Sequence, residues 1–170
     1  MDYKDYIESV MDFPTPGINF RDITSLLENG DVYHSAIDEL ANYAREKKAE
    51  VIVGPEARGF VIGGPLAYSL SAGFVPVRKP GKLPRRTVSV TYEKEYGSDQ
   101  LLIHEDSIRP GQRVLVTDDL LATGGTIDAT IKLVRQLGGD VVGAAFLIEL
   151  TELGARSLLK DCDVFSLIKY

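Results

Sequence analysis

Two adjacent carboxylates, followed by a segment rich in glycine and threonine, are the residues of this chain best suited to chemistry. They lie in residues 114–126, which read VLVTDDLLATGGT. The segment opens with an apolar run, which is typical of a parallel strand buried on both faces, and Asp118 and Asp119 follow it. Apolar residues then recur at helical spacing over 127–137. The order predicted is strand, acidic pair, glycine-rich loop and helix.

The loop between the acidic pair and the helix predicts an anion-binding site. It consists of Ala122, Thr123, Gly124, Gly125 and Thr126. Free N–H groups and the positive end of a helix dipole meet at such a junction. Glycines let an anion approach the backbone closely, and the threonine hydroxyls are further donors. A phosphate monoester is the natural ligand.

The acidic pair has two interpretations. Asp118 and Asp119 could be solvated turn residues at an exposed strand end. Alternatively, they accept hydrogen bonds from the vicinal hydroxyls of a sugar whose 5′-phosphate lies in the loop. We favour the sugar, because two carboxylates that repel each other stand between a buried strand and a site that attracts anions. One of them, Asp118, is also a candidate contact for Mg²⁺, which prefers hard oxygen ligands.

The whole segment resembles the 13-residue phosphoribosyl-pyrophosphate (PRPP) signature of the type I phosphoribosyltransferases. It is not a Walker A loop, because no Gly-Lys-Ser/Thr follows, and it lacks the G-x-G-x-x-G of dinucleotide-binding folds. The resemblance implies Mg²⁺ as a cofactor that arrives with PRPP, without a fixed metal site in the protein.

A second segment, residues 13–24 (FPTPGINFRDIT), resembles the hood that covers the base in adenine phosphoribosyltransferases. Two prolines restrict its backbone and predict an ordered loop. The resemblance implies that Phe20 stacks on the purine and that backbone groups near Asn19 and Arg21 read its edge. A position in the core is the alternative for Phe20. The family also places an acid–leucine pair near the base, which points to Leu150.

The segment GPEARGF, residues 54–60, follows a short apolar strand and carries one strong cation, Arg58. Taken alone, Arg58 reads as a surface arginine. The segment resembles the pyrophosphate loop of the same family, which implies that Glu56, Ala57 and Arg58 bind pyrophosphate. It also predicts a cis peptide bond between Glu56 and Ala57, a geometry that costs about 3–4 kcal/mol and persists only where its surroundings enforce it.

The densest basic segment of the chain is RKPGKLPRR, residues 78–86, with five cations in nine residues. Such a run is often only a solvated surface. This one follows a predicted strand whose end should lie near the pyrophosphate loop, so we favour pyrophosphate binding. The resemblance assigns that role to Arg78, Lys79 and Lys82.

Residues 87–92 alternate between polar and apolar side chains, Leu101 and Ile103 are likewise two positions apart, and a polar loop joins the two segments. This pattern predicts a β-hairpin that projects as a flap over the substrate. Its E-Y-G triplet resembles the family's catalytic loop, in which the glutamate handles the proton of a purine ring nitrogen. Glu95 is therefore the catalytic candidate, with Glu93 as its competitor and a solvated loop carboxylate as the alternative.

Composition limits the other possibilities. The chain has 170 residues, one cysteine and a net charge of −6, which disfavours nonspecific binding to nucleic acid. The N-terminal residues lack the apolar core of a signal peptide, and no apolar run approaches the ~20 residues that cross a bilayer. We expect a cytoplasmic protein. The two histidines have no zinc-site spacing with the cysteine.

Alternating strands and helices predict an α/β fold, with a mostly parallel twisted sheet flanked by helices. We expect one domain over residues 1–170, with an N-terminal helix and hood in 1–30 and the flap in 86–105. The other predicted elements are helices at 2–10, at 32–44 with Asp31 as N-cap, at 63–72 with Pro65 in its first turn, at 125–137 and at 154–160, and strands at 51–53, 74–77, 114–117, 140–150 and 163–170.

The resemblance covers nearly the whole chain and implies the reaction adenine + PRPP ⇌ AMP + pyrophosphate, catalysed by a homodimer. Thr117 and Lys94 depart from the commoner family pattern. Two alternatives remain: a transferase for hypoxanthine-guanine, xanthine or orotate, and a PRPP-sensing regulator. A regulator would need a DNA-binding extension or a basic face, and the sequence has neither.

Overall fold

The computed structural model describes residues 1–94 and 96–170. Its strands are β1 (Glu8–Met11), β2 (Asn19–Asp22), β3 (Val51–Pro55), β4 (Gly73–Val77), β5 (Thr87–Glu93), β6 (Ser98–His104), β7 (Arg113–Leu121), β8 (Asp140–Glu149) and β9 (Val164–Lys169). Its α-helices are α1 (Thr24–Glu28), α2 (Gly30–Glu46), α3 (Gly59–Ser69), α4 (Gly125–Gln136) and α5 (Ala155–Leu158).

Five parallel strands form the central sheet in the order β4-β3-β7-β8-β9. Its inner strands are almost wholly buried, as expected of parallel strands covered on both faces. Helices α2 and α3 pack on one face, around Ile52 and Leu115. Helix α4 packs on the other, around Val116 and Phe146. The predicted α/β architecture is confirmed, and the partly buried strand β9 occupies one edge of the sheet.

Two antiparallel hairpins stand outside this sheet. The flap hairpin pairs β5 with β6, as predicted, and its apolar side, Val88, Val90 and Tyr92, packs against the α4 side of the core. Arg78 forms a backbone bridge with Leu102, which ties the basic segment to the flap. The hood hairpin pairs β1 with β2, so that Val10 lies opposite Phe20.

The predicted N-terminal helix over 2–10 is wrong. Only Tyr3–Tyr6 form a single 3₁₀ turn, capped by the side chain of Asp2, and a strand follows. The expected loop at 13–24 likewise contains β2 and the start of α1. The pairing of β1 with β2 decides the conformation of both segments, and the spacing of apolar residues within each segment does not reveal this pairing.

Two helix starts also differ from expectation. The N-cap of α2 is Asn29, whose side chain accepts a hydrogen bond from the backbone N–H of Val32, so Asp31 lies inside the helix. Helix α3 begins at Gly59 and not at residue 63, which places Pro65 in its interior. Proline cannot donate to the carbonyl four residues earlier, that of Val61. The hydroxyl of Tyr33 donates to that carbonyl instead, so the interruption leaves no acceptor unpaired.

The acidic pair lies on a strand and not in a loop after it, because β7 continues to Leu121. Strand β3 pairs with β7 only as far as Val116, whereas β8 accompanies β7 to its end. The last residues of β7 therefore have a strand neighbour on one side only. No helix in the described part of the chain is long and apolar enough to cross a membrane.

Candidate active site

The carboxyl end of β7 holds the acidic pair in an unusual electrostatic setting. Asp118 is half-buried and Asp119 is only 4% exposed. The backbone N–H of Asp119 donates to Oδ1 of Asp118 over 2.8 Å. Burial, and then the neighbouring carboxylate of Asp119, raise the pKa of Asp118 well above its usual range. The site thus concentrates negative charge where solvent cannot fully stabilise it.

Asp119 forms an ion pair with Arg58, whose Nε lies 2.9 Å from Asp119 Oδ2. Although the two atoms are close, the contact does not meet the geometry of a hydrogen bond. Oδ2 therefore has no hydrogen-bond donor among the described residues. Buried carboxylate oxygens almost always accept hydrogen bonds. Oδ2 has almost no contact with solvent, so a ligand hydroxyl would reach it only if Arg58 moved.

The glycine-rich loop has the anion-binding geometry that the sequence predicts. Gly124 adopts φ +93° just before α4, and a side chain there would approach Ala155 Cβ at 3.1 Å. No side chain in the described structure caps the first N–H groups of α4. A cavity of about 90 Å³ lies in front of them, lined by the loop from Ala122 to Thr126 and by its neighbours. A phosphate-sized anion matches both the size and the donors of this cavity.

A larger cavity of about 740 Å³ adjoins this loop and brings distant segments together. Ten of the candidate site residues named from the sequence line it: Glu56, Ala57, Arg58, Lys79, Glu93, Asp118, Asp119, Thr123, Gly125 and Thr126. Arg78 and Lys82 are not among the lining residues. Glu95, the predicted catalytic residue, lies outside the residues that the structure describes.

Glu56 fastens the basic segment to the loop after β3. Its carboxylate accepts a hydrogen bond from the backbone N–H of Lys79 over 2.8 Å and one from Arg78 Nε over 3.2 Å. The hydrogen bond from Lys79, together with the nearby charge of Arg78, lowers the pKa of Glu56. The bond between Glu56 and Ala57 is cis, as predicted. Glu56 and Arg78 therefore bind each other and do not present free charges to the cavity.

An apolar pocket of about 530 Å³ lies under the hood. Phe20 lines it and packs edge-to-face against Phe13, with ring centroids 5.1 Å apart. The guanidinium carbon of Arg58 lies 5.1 Å from the centroid of Phe20, and Arg58 lines both this pocket and the larger cavity. A flat apolar ligand in this pocket would therefore lie on one side of Arg58, and the acidic pair would lie on the other side.

Other residues predicted to contact the base have different surroundings. Asn19 is exposed on β2. The side chain of Arg21 donates to Ser9 and lies over the ring of Tyr170 at 3.9 Å, outside the pocket lining. Leu150 packs against the core and does not line the pocket either. The structure instead adds Phe13, Ile23 and Leu27 to the lining, residues that the sequence analysis did not single out.

The flap also contributes residues that the sequence analysis missed. Tyr92 lines the large cavity, and its hydroxyl lies 3.3 Å from Oγ1 of Thr126 in the anion-binding loop. Lys94 and Asp99 line the same cavity. The alternation of β5 was the available signal for Tyr92, since it places Tyr92 on the same face as Val88 and Val90.

The acid that precedes Leu150 supports the site from behind. Glu149 is 3% exposed, and both of its carboxylate oxygens accept hydrogen bonds of 2.8 Å from the guanidinium of Arg156. The hydrogen bonds from Arg156, and then that from Ser166, lower the pKa of Glu149. Because Arg156 lies on α5 next to Ala155, this pair fixes α5 against Gly124 of the anion-binding loop.

A phosphate-sized cavity at the start of α4, directly after an acidic pair at the carboxyl edge of a parallel sheet, is the arrangement expected of a phosphoribosyltransferase. The family model described as "Phosphoribosyl transferase domain" matches residues 23–169.

Comparison with solved structures is more specific. Adenine phosphoribosyltransferase from Thermoanaerobacter pseudethanolicus superposes with a TM-score of 0.97 at 52% identity, covering 99% of this chain and 98% of that one. The Rhodothermus marinus enzyme gives 0.93 at 49%, covering 98% and 96%. The Saccharomyces cerevisiae enzyme, complexed with an imino-altritol bisphosphate and adenine, gives 0.93 at 40%, also covering 98% and 96%. The chain belongs to the adenine phosphoribosyltransferase family, which confirms the resemblance drawn from the sequence.

Proposed function

We propose that the protein transfers the phosphoribosyl group of PRPP to adenine, giving AMP and pyrophosphate in purine salvage. One observation carries this proposal: the apolar pocket lined by Phe20 meets, at Arg58, the large cavity that the acidic pair and the anion-binding loop also line. A base and a sugar phosphate bound in these two places would meet at the acidic pair, where a bond between them can form.

The anion-binding loop, Ala122–Thr126, would hold the 5′-phosphate. Its support is the uncapped start of α4, the approach allowed by Gly124 and the hydroxyls of Thr123 and Thr126. Asp118 and Asp119 would accept hydrogen bonds from the ribose hydroxyls. The position of both residues in the lining of the large cavity, next to the anion-binding loop, supports this assignment.

In the reaction, the bond from the anomeric carbon to pyrophosphate breaks and a bond to a purine ring nitrogen forms. The sugar becomes cationic between these events, and the half-buried Asp118 and the buried Asp119 would stabilise that charge. Arg58, the backbone at Ala57 and Lys79 line the same cavity and would neutralise the departing pyrophosphate. Arg78 and Lys82 remain candidates for this role only if the basic segment changes its contacts.

Glu95 would accept the proton that the purine ring nitrogen loses. It belongs to the flap sequence between Lys94 and Tyr96, and both of these neighbours line the cavity. Closure of the flap would also exclude water, which otherwise hydrolyses the activated sugar.

Mg²⁺ fits the site as a companion of PRPP. The described part of the chain contains no group of three His, Cys, Asp or Glu side chains placed to hold a metal ion. The half-buried carboxylate of Asp118 is a hard oxygen donor at the edge of the cavity, as Mg²⁺ prefers. Bound with PRPP, the ion would neutralise diphosphate charge while Asp118 offers it one contact.

Adenine is the base we propose, with contacts from Phe20 and from backbone groups at Asn19 and Arg21. The Saccharomyces relative is complexed with adenine, and the Giardia lamblia relative, 33% identical over 99% of this chain, with 9-deazaadenine. For Leu150 to contact the base, its packing in the substrate complex must differ from the packing described above.

We further propose that the protein is a cytoplasmic homodimer that binds neither nucleic acid nor membrane. Light scattering of the purified protein tests the dimer.

The decisive experiment assays a panel of nucleobases with Mg²⁺ and PRPP and measures pyrophosphate release. We expect release with adenine and little with hypoxanthine, guanine, xanthine or orotate. A preference for another base would replace the proposed substrate. Tight PRPP binding without turnover of any base would instead support a PRPP-sensing regulator.

A further inference from the structure

The large cavity contains three described cations, and they differ in how firmly they are held. Arg58 pairs with the buried carboxylate of Asp119. Lys79 and Lys94 instead share one oxygen of Asp99, with their Nζ atoms 3.7 Å and 2.9 Å from Oδ2. One carboxylate on β6 thus holds a lysine of the basic segment and a lysine of the flap at the same point of the cavity wall.

This arrangement is open to solvent and easy to exchange. The side chains of Lys79 and Lys94 are 52% and 47% exposed, and that of Asp99 is 21% exposed. Ion pairs at such exposure contribute little to stability, because water competes for both partners. The hydrogen bond between Lys94 and Asp99 raises the pKa of Lys94 and lowers that of Asp99, so both groups are charged at neutral pH.

A diphosphate suits these two lysines better than Asp99 does. It carries more charge than a carboxylate, and its several oxygens allow each ammonium group its own acceptor. Lys79 also lies on the side of the cavity where Glu56 attaches the basic segment to the loop of Ala57 and Arg58. The 5′-phosphate has its own site at the start of α4. The diphosphate end of PRPP is therefore the part of the substrate that matches Lys94.

We propose that Lys94 is a further substrate-binding residue, which exchanges Asp99 for the diphosphate of PRPP and so draws the flap onto the substrate. This inference rests on the proposed function. Because Lys94 directly precedes Glu95, the contact would also bring the proton acceptor towards the base. Lys94 is also one of the positions at which the sequence departs from the commoner family pattern.

The competing explanation is that the ion pair between Lys94 and Asp99 only holds the flap in place. The two explanations predict opposite effects of an Asp99 substitution on pyrophosphate binding. If Lys94 binds diphosphate, removing its charge weakens pyrophosphate binding, whereas removing the charge of Asp99 frees both lysines and strengthens it. If the pair only holds the flap in place, either substitution loosens the flap and both weaken binding.

The test compares Lys94→Met with Asp99→Asn, using Lys132→Met as a matched control. Lys132 is also an exposed lysine paired with an aspartate, Asp128, at 2.8 Å, but it lies on α4 away from the cavity lining. Calorimetry measures the Kd of magnesium pyrophosphate in the presence of AMP, and the Kd of AMP alone. Steady-state assays give KM for PRPP and for adenine.

We expect Lys94→Met to raise the Kd of pyrophosphate and the KM for PRPP about tenfold, the usual effect of losing one charge-assisted hydrogen bond. Asp99→Asn should lower both values. The Kd of AMP, the KM for adenine and all values for Lys132→Met should stay within about twofold of the unsubstituted protein, the spread expected of surface changes.

Three results would overturn the inference: a change below twofold in Lys94→Met, weaker pyrophosphate binding in Asp99→Asn, or an equal loss in Lys132→Met. Failure of the proposed function is distinguishable, because the unsubstituted protein would then neither bind AMP nor form it from adenine.

Discussion

Gly59 shows how closely the start of α3 approaches the acidic strand. A Cβ atom at this position would lie 2.9 Å from Oδ1 of Asp118 and 3.4 Å from Pro55. Carbon and oxygen do not approach so closely without strain, so a side chain here would displace the carboxylate. The carboxylate of Asp118 can therefore occupy its position only because residue 59 has no side chain.

We predict that Gly59→Ala lowers kcat/KM for PRPP about tenfold, because misplacing a reacting group by about 1 Å costs about 10²-fold and a few tenths of an ångström cost less. Steady-state kinetics measure the effect. Gly64→Ala is the matched control, since it lies in the same helix with nothing within 4 Å of an added Cβ. It should keep full activity and gain about 0.5–1 kcal/mol of stability. Equal activity losses in both variants would contradict the role of Gly59.

We predict that Glu95→Gln lowers kcat far more than it weakens PRPP binding. The substitution removes the proton acceptor but keeps the size of the side chain, and general-base catalysis contributes about 10²–10⁴-fold. Rapid-quench kinetics and PRPP calorimetry separate the two quantities. Glu93→Gln, on the neighbouring competitor residue, should change kcat much less. Parallel losses of kcat and PRPP affinity in Glu95→Gln would refute the assignment.

At the scale of residues, the sequence points to candidate site residues more readily than to the contacts that these residues make with each other. Residue types and spacing singled out Asp118, Asp119 and the anion-binding loop, and the structure brings them to one cavity. They did not reveal that Glu56 and Arg78 bind each other, because hydrogen bonds across 22 positions depend on the fold. Thr117 is explained only by the structure: its buried hydroxyl donates to the carbonyl of Ala145 over 2.7 Å, which satisfies a polar group inside the sheet.

At the scale of elements, short α5 supports the anion-binding loop although it contacts no substrate site directly. Arg156 binds Glu149 at the end of β8, and the adjacent Ala155 lies against Gly124. The pair therefore connects the stability of the C-terminal region to the shape of the loop.

We predict that Arg156→Met destabilises the protein by about 1–3 kcal/mol, less than the ~3–5 for a fully buried pair, because the side chain of Arg156 is 46% exposed. The KM for PRPP should rise severalfold as α5 loosens. Urea unfolding and steady-state kinetics measure these effects. Arg109→Met, at another exposed arginine, serves as the control. The double variant Arg156→Met/Glu149→Gln should recover part of the lost stability, because it leaves no unpaired carboxylate at Glu149.

The same pair predicts a pH dependence of stability. The fold lowers the pKa of Glu149 below its usual value of 4.5, so the ion pair stabilises the protein above about pH 4.5. That stabilisation is lost as the pH falls below 4.5 towards the lowered pKa. Urea unfolding between pH 7 and pH 3.5 should show a steeper loss in the unsubstituted protein than in Arg156→Met. Identical slopes would contradict this contribution of the pair.

Among the elements, those with strong periodicity were predicted well and those that depend on distant partners were not. The central strands, α2, α4 and the flap hairpin appear close to their predicted positions. The N-terminal helix failed, because β1 is a strand only through pairing with β2. The end of β7 was placed too early, because its last residues pair with β8 although their polar sequence resembles a loop.

For the whole molecule, the fold separates a buried sheet from two exposed hairpins. We predict that amide hydrogens of β3, β7 and β8 exchange only on global unfolding, whereas those of residues 8–22, 93–94 and 96–99 exchange by local opening. AMP with magnesium pyrophosphate should slow exchange in both hairpins and leave the sheet unchanged. Hydrogen exchange with mass spectrometry measures this. Protection confined to the sheet on ligand binding would contradict a role for either hairpin in covering substrate.

The hood hairpin is also continuous in sequence and contributes little to the interior, since all four residues of β1 are exposed. Its neighbours Ile7 and Ile23, which are buried, remain outside the segment 8–22. This segment is therefore a natural cassette for protein engineering. Grafting the corresponding segment of a transferase that accepts another base would redesign nucleobase choice while the sheet, the anion-binding loop and the acidic strand stay as they are.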